Sequence, residues 1–320
     1  RLAIRGVSSG FDGESGWIEV KTSQMVDEKA LDEYVSVQPG KNLQFYVTQN
    51  SFRIEGDFED ARTINLKIKK GLPGFYGGEL EFAFEQMISL VDLKPSVNFA
   101  DKSEKYLLRG GKQNLAVNTV NLNEIDIEVS QVFKNNLLHF LDRYSYLYNN
   151  NYRYNTYYRV DNFGKELYTE SIELSSQQNW LQKSVLNVDD LLKQKRKGVY
   201  VISARSAEDR WVQDSKMIAL SDIGLIAKMG EDEIMVCANS ISSTEPIEGV
   251  EITIISSNNQ ELMSAKTSRN GVVHFTDVER KTEGFTPRLV TAELNDDFNY
   301  LDLKETNIET SRFDVGGVTE

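Results

Sequence analysis

The sequence predicts an all-β protein built from tandem, immunoglobulin-like antiparallel β-sandwiches with short helical insertions. Seven stretches alternate apolar with polar residues, or run through β-branched and aromatic residues, between turn-forming residues. Helical patterns are few and short beside them. The strand patterns recur with turns between them, which favours stacked sandwiches over a single barrel or a parallel α/β sheet.

The predicted elements follow in chain order. The strands are "GWIEVKTS" (16–23), "RTINLKIKKG" (62–71), "EIDIEVSQVF" (124–133), "GVYVISARS" (198–206), "EIMVCANSI" (233–241), "VEITIISS" (250–257) and "GVVHFTDV" (271–278). The two helical patterns are "DEKALDEYV" (27–35) and "QVFKNNLLHFLDRY" (131–144).

The stretch 246–275, "PIEGVEITIISSNNQELMSAKTSRNGVVHF", is the clearest strand-and-turn pattern. Pro246 ends one strand, and Gly249 permits a tight turn before the next. The "SSNNQ" segment is a predicted hairpin loop, because Asn tolerates the left-handed backbone conformation, and the Asn270–Gly271 pair predicts a second turn. The stretch predicts a β-meander, and its residues suggest a scaffold rather than chemistry.

Changes of pattern along the chain predict three domains. Pro95 stops a strand pattern, and the charged "SAEDR" segment separates the strand at 198–206 from the next strand. The predicted domains are a sandwich over 1–92, a sandwich with a helix and a tyrosine-rich insertion over 93–210, and an acidic sandwich over 211–320. Each falls in the ordinary size range of a sandwich domain.

The charge of the chain is negative and uneven. The 320 residues carry a formal net charge of −13; residues 1–210 hold 27 Lys and Arg against 29 Asp and Glu, whereas residues 211–320 hold 9 against 20. Nucleic-acid binding needs clustered cations that release counterions, so this composition argues against it. The one basic cluster, "KQKRK" (193–197), is predicted to be a solvated turn before a strand.

Two features of the sequence bear on stability and location. The single cysteine, Cys237, excludes an internal disulfide framework, and its strand pattern predicts a core or strand thiol. The sequence contains no apolar run of membrane-spanning length, and it begins at Arg1 without an apolar signal core. We therefore expect an excised piece of a longer protein, with any signal or lipid anchor upstream.

The residue types for catalysis or metal binding are sparse. The only histidines are His139 and His274, each with apolar neighbours and neither at metal-ligand spacing from a second His or Cys. Carboxylates cluster at Asp57, Glu59 and Asp60, and again at Asp296 and Asp297, where a solvated loop is a simpler interpretation than Ca²⁺ binding or an acid pair. The "RGGKQN" stretch (109–114) lacks the spacing of a phosphate-binding loop. We expect no catalytic residue, no cofactor and no metal.

The segment 143–160, "RYSYLYNNNYRYNTYYRV", is the exception to a plain scaffold. Tyrosine supplies rigid amphipathic contact area, so the segment is a candidate contact surface. Its tyrosines are Tyr144, Tyr146, Tyr148, Tyr152, Tyr154, Tyr157 and Tyr158. The alternative is that alternate tyrosines pack a long hairpin against the sandwich. A contact role would make a surface adhesion or carbohydrate-binding array the second candidate function.

Four motifs in order resemble one protein family. "SQMVDEKALDEYVSV", "FRIEGDF" and "KIKKGLPGFYGGEL" are similar to an N-terminal module with the pattern "KGL.G..G..L". "NLAVNTVNLNEIDIEVSQVFKNNLLHFL" and "SKMIALSDIGLIAKMGEDEIMVCANSISSTEPIEGVEITI" resemble two further modules, and "ETSRFDVGG" resembles the strand that leads into the next. Together they identify the chain as resembling the N-terminal part of bacterial alpha-2-macroglobulins.

The resemblance implies macroglobulin-type (MG) sandwiches that serve as a non-catalytic scaffold in an endopeptidase inhibitor. Family members trap attacking proteases in bacterial defence after cleavage of a bait region, and many couple to the protease through a Cys-Gln thioester. This chain lacks the C-x-E-Q motif, because Cys237 lies in "VCANS". The implied partners are neighbouring MG domains and, through the full-length protein, proteases. The implied location is the periplasm or cell surface, with an upstream lipid anchor.

Overall fold

The computed structural model describes residues 1–58, 63–100, 105–108, 114–149, 158–175, 177–192, 197–230 and 232–304. The chain divides into two compact units. The first unit comprises Arg1–Val97, Asn118–Ile125 and Glu173–Ser184, and the second comprises Asn98–Val117, Asp126–Ile172 and the chain from Val185 onward.

The first unit contains a β-sandwich of a four-stranded and a three-stranded sheet. Its strands are β1 (Ile4–Phe11), β2 (Gly16–Thr22), β3 (Val35–Gln38), β4 (Lys41–Val47), β5 (Ser51–Asp57), β6 (Thr63–Ile68) and β7 (Phe84–Ser89). The sheets have the orders β1-β2-β5-β4 and β3-β6-β7, with antiparallel neighbours. Alternation directs Ile18 and Val20 of β2 into the same core as Ile64 and Leu66 of β6.

The helical pattern at 27–35 forms only a 3-10 turn followed by one short turn of α-helix. Asp27 caps a 3-10 turn (Glu28–Ala30) by accepting a hydrogen bond from the Lys29 backbone N at 3.1 Å. The helix α1 (Leu31–Tyr34) follows and buries Leu31 completely. Val35 already begins β3, because its alternation with Val37 serves the sheet.

The middle of the chain forms two further sheets. Its elements are β8 (Ser96–Phe99), β9 (Lys105–Leu108), β10 (Asn114–Val120), β11 (Glu124–Val132), α2 (Leu137–Asn149), β12 (Gly164–Glu173), β13 (Gln182–Asn187), α3 (Val188–Leu191), β14 (Gly198–Ser206) and β15 (Gln213–Leu220). The sheet orders are β13-β10-β8 and β12-β11-β14-β15-β9. Strand β9 runs parallel to β15, whereas β14 on the other side of β15 is antiparallel to it.

The helix predicted over 131–144 begins later than its pattern indicated. Val132 still belongs to β11, a 3-10 turn spans Lys134–Asn136, and α2 starts at Leu137. The reason is that Val132 is buried as part of the alternating pattern of β11, so the strand takes the residues that the helical pattern also fitted.

The last part of the second unit is a seven-stranded sandwich. Its elements are β16 (Ile223–Met229), β17 (Glu233–Ser240), β18 (Glu251–Ser256), β19 (Glu261–Lys266), β20 (Val272–Thr276), α4 (Val278–Thr282), β21 (Pro287–Leu294) and β22 (Asp297–Asp302). The sheets β16-β17-β20 and β19-β18-β21-β22 enclose a core that includes Val236, Ile252 and Val290. The predicted fold class of tandem antiparallel sandwiches with short helical insertions is confirmed.

The turns predicted within 246–275 are present, but the strands do not form the predicted meander. Strand β18 pairs with β19, whereas β20 crosses to the other sheet and pairs with β17. Gly249 and Gly271 adopt left-handed backbone conformations with φ of 80° and 72°, and Asn259 does so at 64° in the β18–β19 loop. A Cβ on Gly271 would lie 2.5 Å from the Ala238 carbonyl oxygen. Glycine is therefore required there both by φ and by the close approach of β17.

The sheet that contains β14 continues past the predicted boundary at residue 210. Strands β14 and β15 form an antiparallel hairpin in regular register from Gly198 opposite Leu220 to Arg205 opposite Gln213. Because β15 belongs to the same sheet as β14, a boundary between the second and third domains fits better after Leu220 than at residue 210. The three-domain division stays a prediction. Among the described residues, no helix is both long and apolar enough to span a membrane.

Limited proteolysis tests this arrangement. We expect nicks at residues 92–96 and at the tip 207–212, whose residues 207–211 are exposed, and few nicks within strands. A chain nicked at the tip should stay in one particle on native gel filtration, since β14 remains hydrogen-bonded to β15, and should split only in denaturant. Separation of the pieces under native conditions would contradict the shared sheet.

Candidate functional site

Helix α2 presents an apolar face to the interior of the second unit. Leu137, Phe140, Leu141 and Tyr144 follow the three- and four-residue spacing of one helix face, and each is at most 7% exposed. Asp142 and His139 lie on the exposed side. The helix is therefore fixed by packing along most of its described length.

Aromatic rings extend this face to the chain that follows the helix. Phe140 contacts the rings of Tyr144, Tyr158 and Phe163, with centroid distances of 5.0, 5.8 and 5.7 Å. The Tyr144 hydroxyl accepts from the Arg159 backbone N at 2.7 Å and donates to the Arg159 carbonyl oxygen at 2.9 Å. These two hydrogen bonds tie the residues after position 157 to the helix.

The same apolar cluster contains residues from two different sheets. Val199, Val201 and Met217 belong to the β14–β15 hairpin, whereas Leu289 and Tyr300 belong to β21 and β22 of the last sandwich. The Tyr300 hydroxyl lies 3.5 Å from the Met217 sulfur. We call this set, together with the buried residues of α2, the junction cluster. It joins the five-stranded sheet to the last sandwich through one continuous core.

Strand β21 is buried on both faces as a result. Val290 and Ala292 lie in the core of the last sandwich, whereas Leu289 lies in the junction cluster. A sandwich strand with one solvated face would alternate apolar and polar residues. The uninterrupted burial from Arg288 to Ala292 instead marks a strand covered on both sides.

A buried arginine lies at the edge of the junction cluster. The Arg288 side chain is 8% exposed and pairs with Asp302, itself 6% exposed, and with the half-exposed Asp142 of α2 at 3.1 Å. Asp302 also accepts from the Lys304 backbone N at 2.9 Å. A buried guanidinium needs such partners, because an unpaired charge away from water is strongly unfavourable.

Further polar contacts fix the ends of the strands around the junction cluster. Asp297 accepts from Lys197 Nζ at 2.5 Å, from Ser221 Oγ at 2.6 Å and from the Asp222 backbone N at 3.1 Å. The more exposed pair of Lys134 and Glu293 joins the turn before α2 to β21 at 2.8 Å. Each contact adds little alone, but together they fix one relative placement of the elements.

Asp214 of β15, which lies outside the junction cluster, has a pKa well above its usual value. Burial raises the pKa of its carboxyl to about 6, against the lowering effect of hydrogen bonds from the backbone N of Phe99 and of Ser215. The N–O distances are 2.8 and 3.0 Å. Asp214 thus links β15 to β8 of the other sheet, which is a structural role for its carboxyl.

The tyrosines predicted as a contact surface divide into two groups. Tyr144 and Tyr158 are interior residues, 7% and 3% exposed, but Tyr144 lies on helix α2 and not in the long hairpin of the packing interpretation. Tyr146 and Tyr148 lie in the described backbone of α2, whereas Tyr152, Tyr154 and Tyr157 lie outside the described residues. A contact surface on the tyrosines other than Tyr144 and Tyr158 stays a prediction.

The other candidate residues lie on separate elements. His139 is exposed on α2 and His274 is exposed on β20. Asp296 is in the β21–β22 turn, Asp297 is held by Lys197, and Asp57 ends β5. Glu59, Asp60, residues 109–113 and residues 193–196 lie outside the described residues. Within the described ranges, no group of three His, Cys, Asp or Glu is arranged to hold a metal.

Cys237 occupies the predicted strand but not the core. It lies in β17 and is half-buried, since Val236 and Ala238 on either side take the inward positions. Of the two predicted alternatives, a core or a strand thiol, the strand thiol is confirmed. The alternating pattern identified the strand, but it did not indicate which of the two faces of the strand lies toward the core.

The junction residues were missed from the sequence. Arg288, Asp142 and Asp302 are far apart in the chain and match no motif. The sequence holds one signal for this buried strand, the run "RLVTA" at 288–292, in which four uncharged residues follow the arginine. Such a run is typical of a strand buried on both faces.

Two family models match adjacent parts of the chain. The model described as "Bacterial alpha-2 macroglobulin MG2 domain" matches residues 98–210. The model described as "Bacterial alpha-2-macroglobulin MG3 domain" matches residues 220–320. Together these stretches make up about two thirds of the chain.

Relatives and solved structures agree with these models. The chain is 24% identical over 300 residues to an alpha-2-macroglobulin of Pasteurella multocida, which covers 85% of this chain and 15% of the relative. It is 22% identical to an alpha-2-macroglobulin homolog of Yersinia pestis, covering 91% of this chain and 16% of the relative. The chain thus spans about a sixth of the length of these relatives.

A solved structure of native alpha-2-macroglobulin from Escherichia coli, spanning domains MG0-NIE-MG1, matches with a TM-score of 0.68 at 20% identity. The match covers 94% of this chain and 96% of that one, and at this identity it shows the shared fold.

The chain has a fold of tandem antiparallel sandwiches, which it shares with the solved alpha-2-macroglobulin structure. Its described elements are immunoglobulin-like sheets, and a common core joins the last sandwich to the sheet before it. With two of its domain models matched in order, the chain belongs to the bacterial alpha-2-macroglobulin family.

Removing one partner of the buried ion pair tests the junction. We expect Asp302→Asn to lower the free energy of unfolding by about 3–5 kcal/mol, because it leaves the Arg288 charge buried with only the half-exposed Asp142. Lys134→Ala, which removes an exposed pair, is the matched control and should cost about 1 kcal/mol or less. Urea unfolding followed by fluorescence measures both. Equal effects of the two variants would contradict the assignment.

The raised pKa of Asp214 predicts a pH dependence of stability. Because the folded state holds this proton more tightly than the unfolded chain, the free energy of unfolding should fall as pH rises from about 4 to 6. The upper limit is about 3 kcal/mol, at about 1.4 kcal/mol per pKa unit. Asp214→Asn should remove this slope, as measured by urea unfolding at several pH values.

Asp222 provides a control of opposite sign. Burial raises the pKa of Asp222, but hydrogen bonds from Ser240 Oγ and the Ser242 backbone N outweigh it and hold the pKa below its usual value. The wild type should therefore lose stability relative to Asp222→Asn as pH falls below about 4. An unchanged slope in Asp214→Asn would refute the assignment of the pH 4–6 effect to Asp214.

Proposed function

We propose that the chain is part of the non-catalytic frame of a bacterial alpha-2-macroglobulin, an endopeptidase inhibitor that traps attacking proteases. Membership of the family supports this, and a solved relative from Escherichia coli is described as trypsin activated. Proteases would then be partners of the full-length protein rather than of these residues alone.

The observation that carries the proposal is the junction cluster. A trap that works by rearranging its domains needs parts that keep their internal geometry while others move. Helix α2, the β14–β15 hairpin and the β21–β22 hairpin share one core, and a buried ion pair lies at its edge. Closely packed interiors of this kind resist gradual deformation. The second unit has the construction expected of such a part.

The described residues support a frame better than an enzyme. A nucleophile and a base must lie within hydrogen-bonding distance of one another. His139 and His274 are exposed on separate elements, and Cys237 is half-buried within a regular strand. We therefore assign no catalytic role to them.

For the full-length protein we propose a periplasmic or cell-surface location and a lipid anchor outside residues 1–320. The experiment is fractionation of the full-length protein from its native host with and without globomycin, an inhibitor of lipoprotein processing. An accumulating precursor would support the anchor. Unchanged size and a cytoplasmic location would contradict it.

A protease-protection assay tests the frame function. We expect residues 1–320, added in molar excess to trypsin, to leave cleavage of a large protein substrate unchanged and to form no SDS-resistant adduct. The full-length protein should slow cleavage of the large substrate much more than cleavage of a small peptide, because a trapped protease stays open to small molecules.

Inhibition by the isolated residues 1–320 at stoichiometric amounts would contradict the frame function and indicate a direct inhibitor. In that event, variants of Tyr152, Tyr154 and Tyr157 would show whether the tyrosine-rich segment is responsible. A full-length protein that slows both substrates equally would contradict trapping itself.

A further inference from the structure

The glycine-rich turn after β6 carries two exposed aromatic rings. Phe75 and Tyr76 are 61% and 72% exposed, and their rings meet edge to face with centroids 5.3 Å apart. They lie within "KKGLPGFYGGEL" (69–80), the motif of the first sandwich that the frame function does not explain. Exposed aromatic residues that contact one another are typical of interaction surfaces.

The backbone beneath these rings is firmly held. The Phe75 backbone N donates to the Met25 carbonyl oxygen at 2.8 Å, and the Gly74 N donates to the Gly78 carbonyl oxygen at 2.9 Å. Gln24 Nε2 donates to the Gly77 carbonyl oxygen at 2.9 Å. The turn is thus hydrogen-bonded across itself and to the chain before α1. The rings point outward because this backbone holds them there.

The glycines of the motif are needed for this geometry. Gly77 and Gly78 adopt φ of 89° and 82°, which side chains rarely tolerate, and a Cβ on Gly74 would lie 2.4 Å from Gln24 Nε2. The glycines thus build the turn, and Phe75 and Tyr76 are the residues that it presents to solvent.

The size of the patch limits what can occupy it. Two aromatic side chains contribute at most a few hundred Å², whereas a free-standing protein interface needs about 800 Å² from each partner. A small patch suffices when the partner is covalently linked, because the effective concentration then reaches about the millimolar range. The chain spans 15–16% of the length of its relatives, so the full-length protein offers such a partner.

We propose that Phe75 and Tyr76 form a docking surface for an apolar pocket on another domain of the same polypeptide, outside residues 1–320. The proposal rests on the chain being part of a multidomain alpha-2-macroglobulin. It assigns the motif a second role beyond folding of the first sandwich, namely holding that sandwich against a domain distant in the sequence.

Site-specific photo-crosslinking in the full-length protein tests the contact. A benzophenone amino acid replaces Tyr76, and the same amino acid replaces Trp211, which is 75% exposed at the β14–β15 tip, as the matched control. We expect an intramolecular crosslink from position 76 to a residue beyond 1–320, identified by mass spectrometry, in several-fold higher yield than from position 211.

Crosslinks from position 76 only to residues within 1–320, to a second copy, to lipid or to nothing would each overturn the proposal. Protease trapping is not part of this readout, so its failure and a failure of the proposed function are distinguishable. As a second measurement, the double variant Phe75→Ser, Tyr76→Ser should leave the melting temperature of residues 1–320 unchanged but lower that of the full-length protein. Equal melting behaviour in both contexts would also count against the docking surface.

Discussion

The second unit depends on the burial of both faces of strands that would ordinarily have one face in water. Leu289 and Tyr300 would expose apolar groups to solvent if the last sandwich stood alone. Helix α2 would likewise expose its apolar face if these strands did not cover it. Burial of apolar area is the dominant favourable term in folding, at about 25 cal/mol per Å². Helix α2, the β14–β15 hairpin and the β21–β22 hairpin satisfy this constraint together, and none does so alone.

The charged groups around this core specify its geometry more than they add stability. Replacement of a buried ion pair by apolar residues is often neutral, but the loss of one partner is not. Arg288 therefore favours the one arrangement that brings Asp302 and Asp142 to it. Apolar packing supplies the driving force, and these contacts exclude slipped alternatives in which the guanidinium would lack a carboxylate.

The two ends of the chain would contribute different features to the proposed frame. In the second unit, the strands are joined to their neighbours through a continuous core. In the first sandwich, a glycine-rich turn holds Phe75 and Tyr76 outward on a hydrogen-bonded backbone. A multidomain protein needs both kinds of feature: internal cores that keep domains in a fixed relation, and smaller contact patches that covalent linkage makes effective.

The sequence by itself determined the class of fold, the positions of seven strands and the main turns. Alternation marks β2, β17 and β18 because neighbouring side chains on a strand point to opposite faces, and Gly249 and Gly271 mark turns because φ is positive there. These signals lie within a few residues of one another. The motifs that carry the family resemblance are also short continuous stretches, so they too could be recognised from the sequence.

Only the tertiary structure decided which faces meet. Arg288 and Asp142 are 146 positions apart, and the residues around either one do not predict that the other is its partner. The same limit explains why Tyr144 and Tyr158 are interior, why Cys237 is outside the core, and why α2 begins after Val132. Local sequence sets the period of a strand or helix, but the partner that covers each face is set by long-range packing, which depends on the whole chain at once.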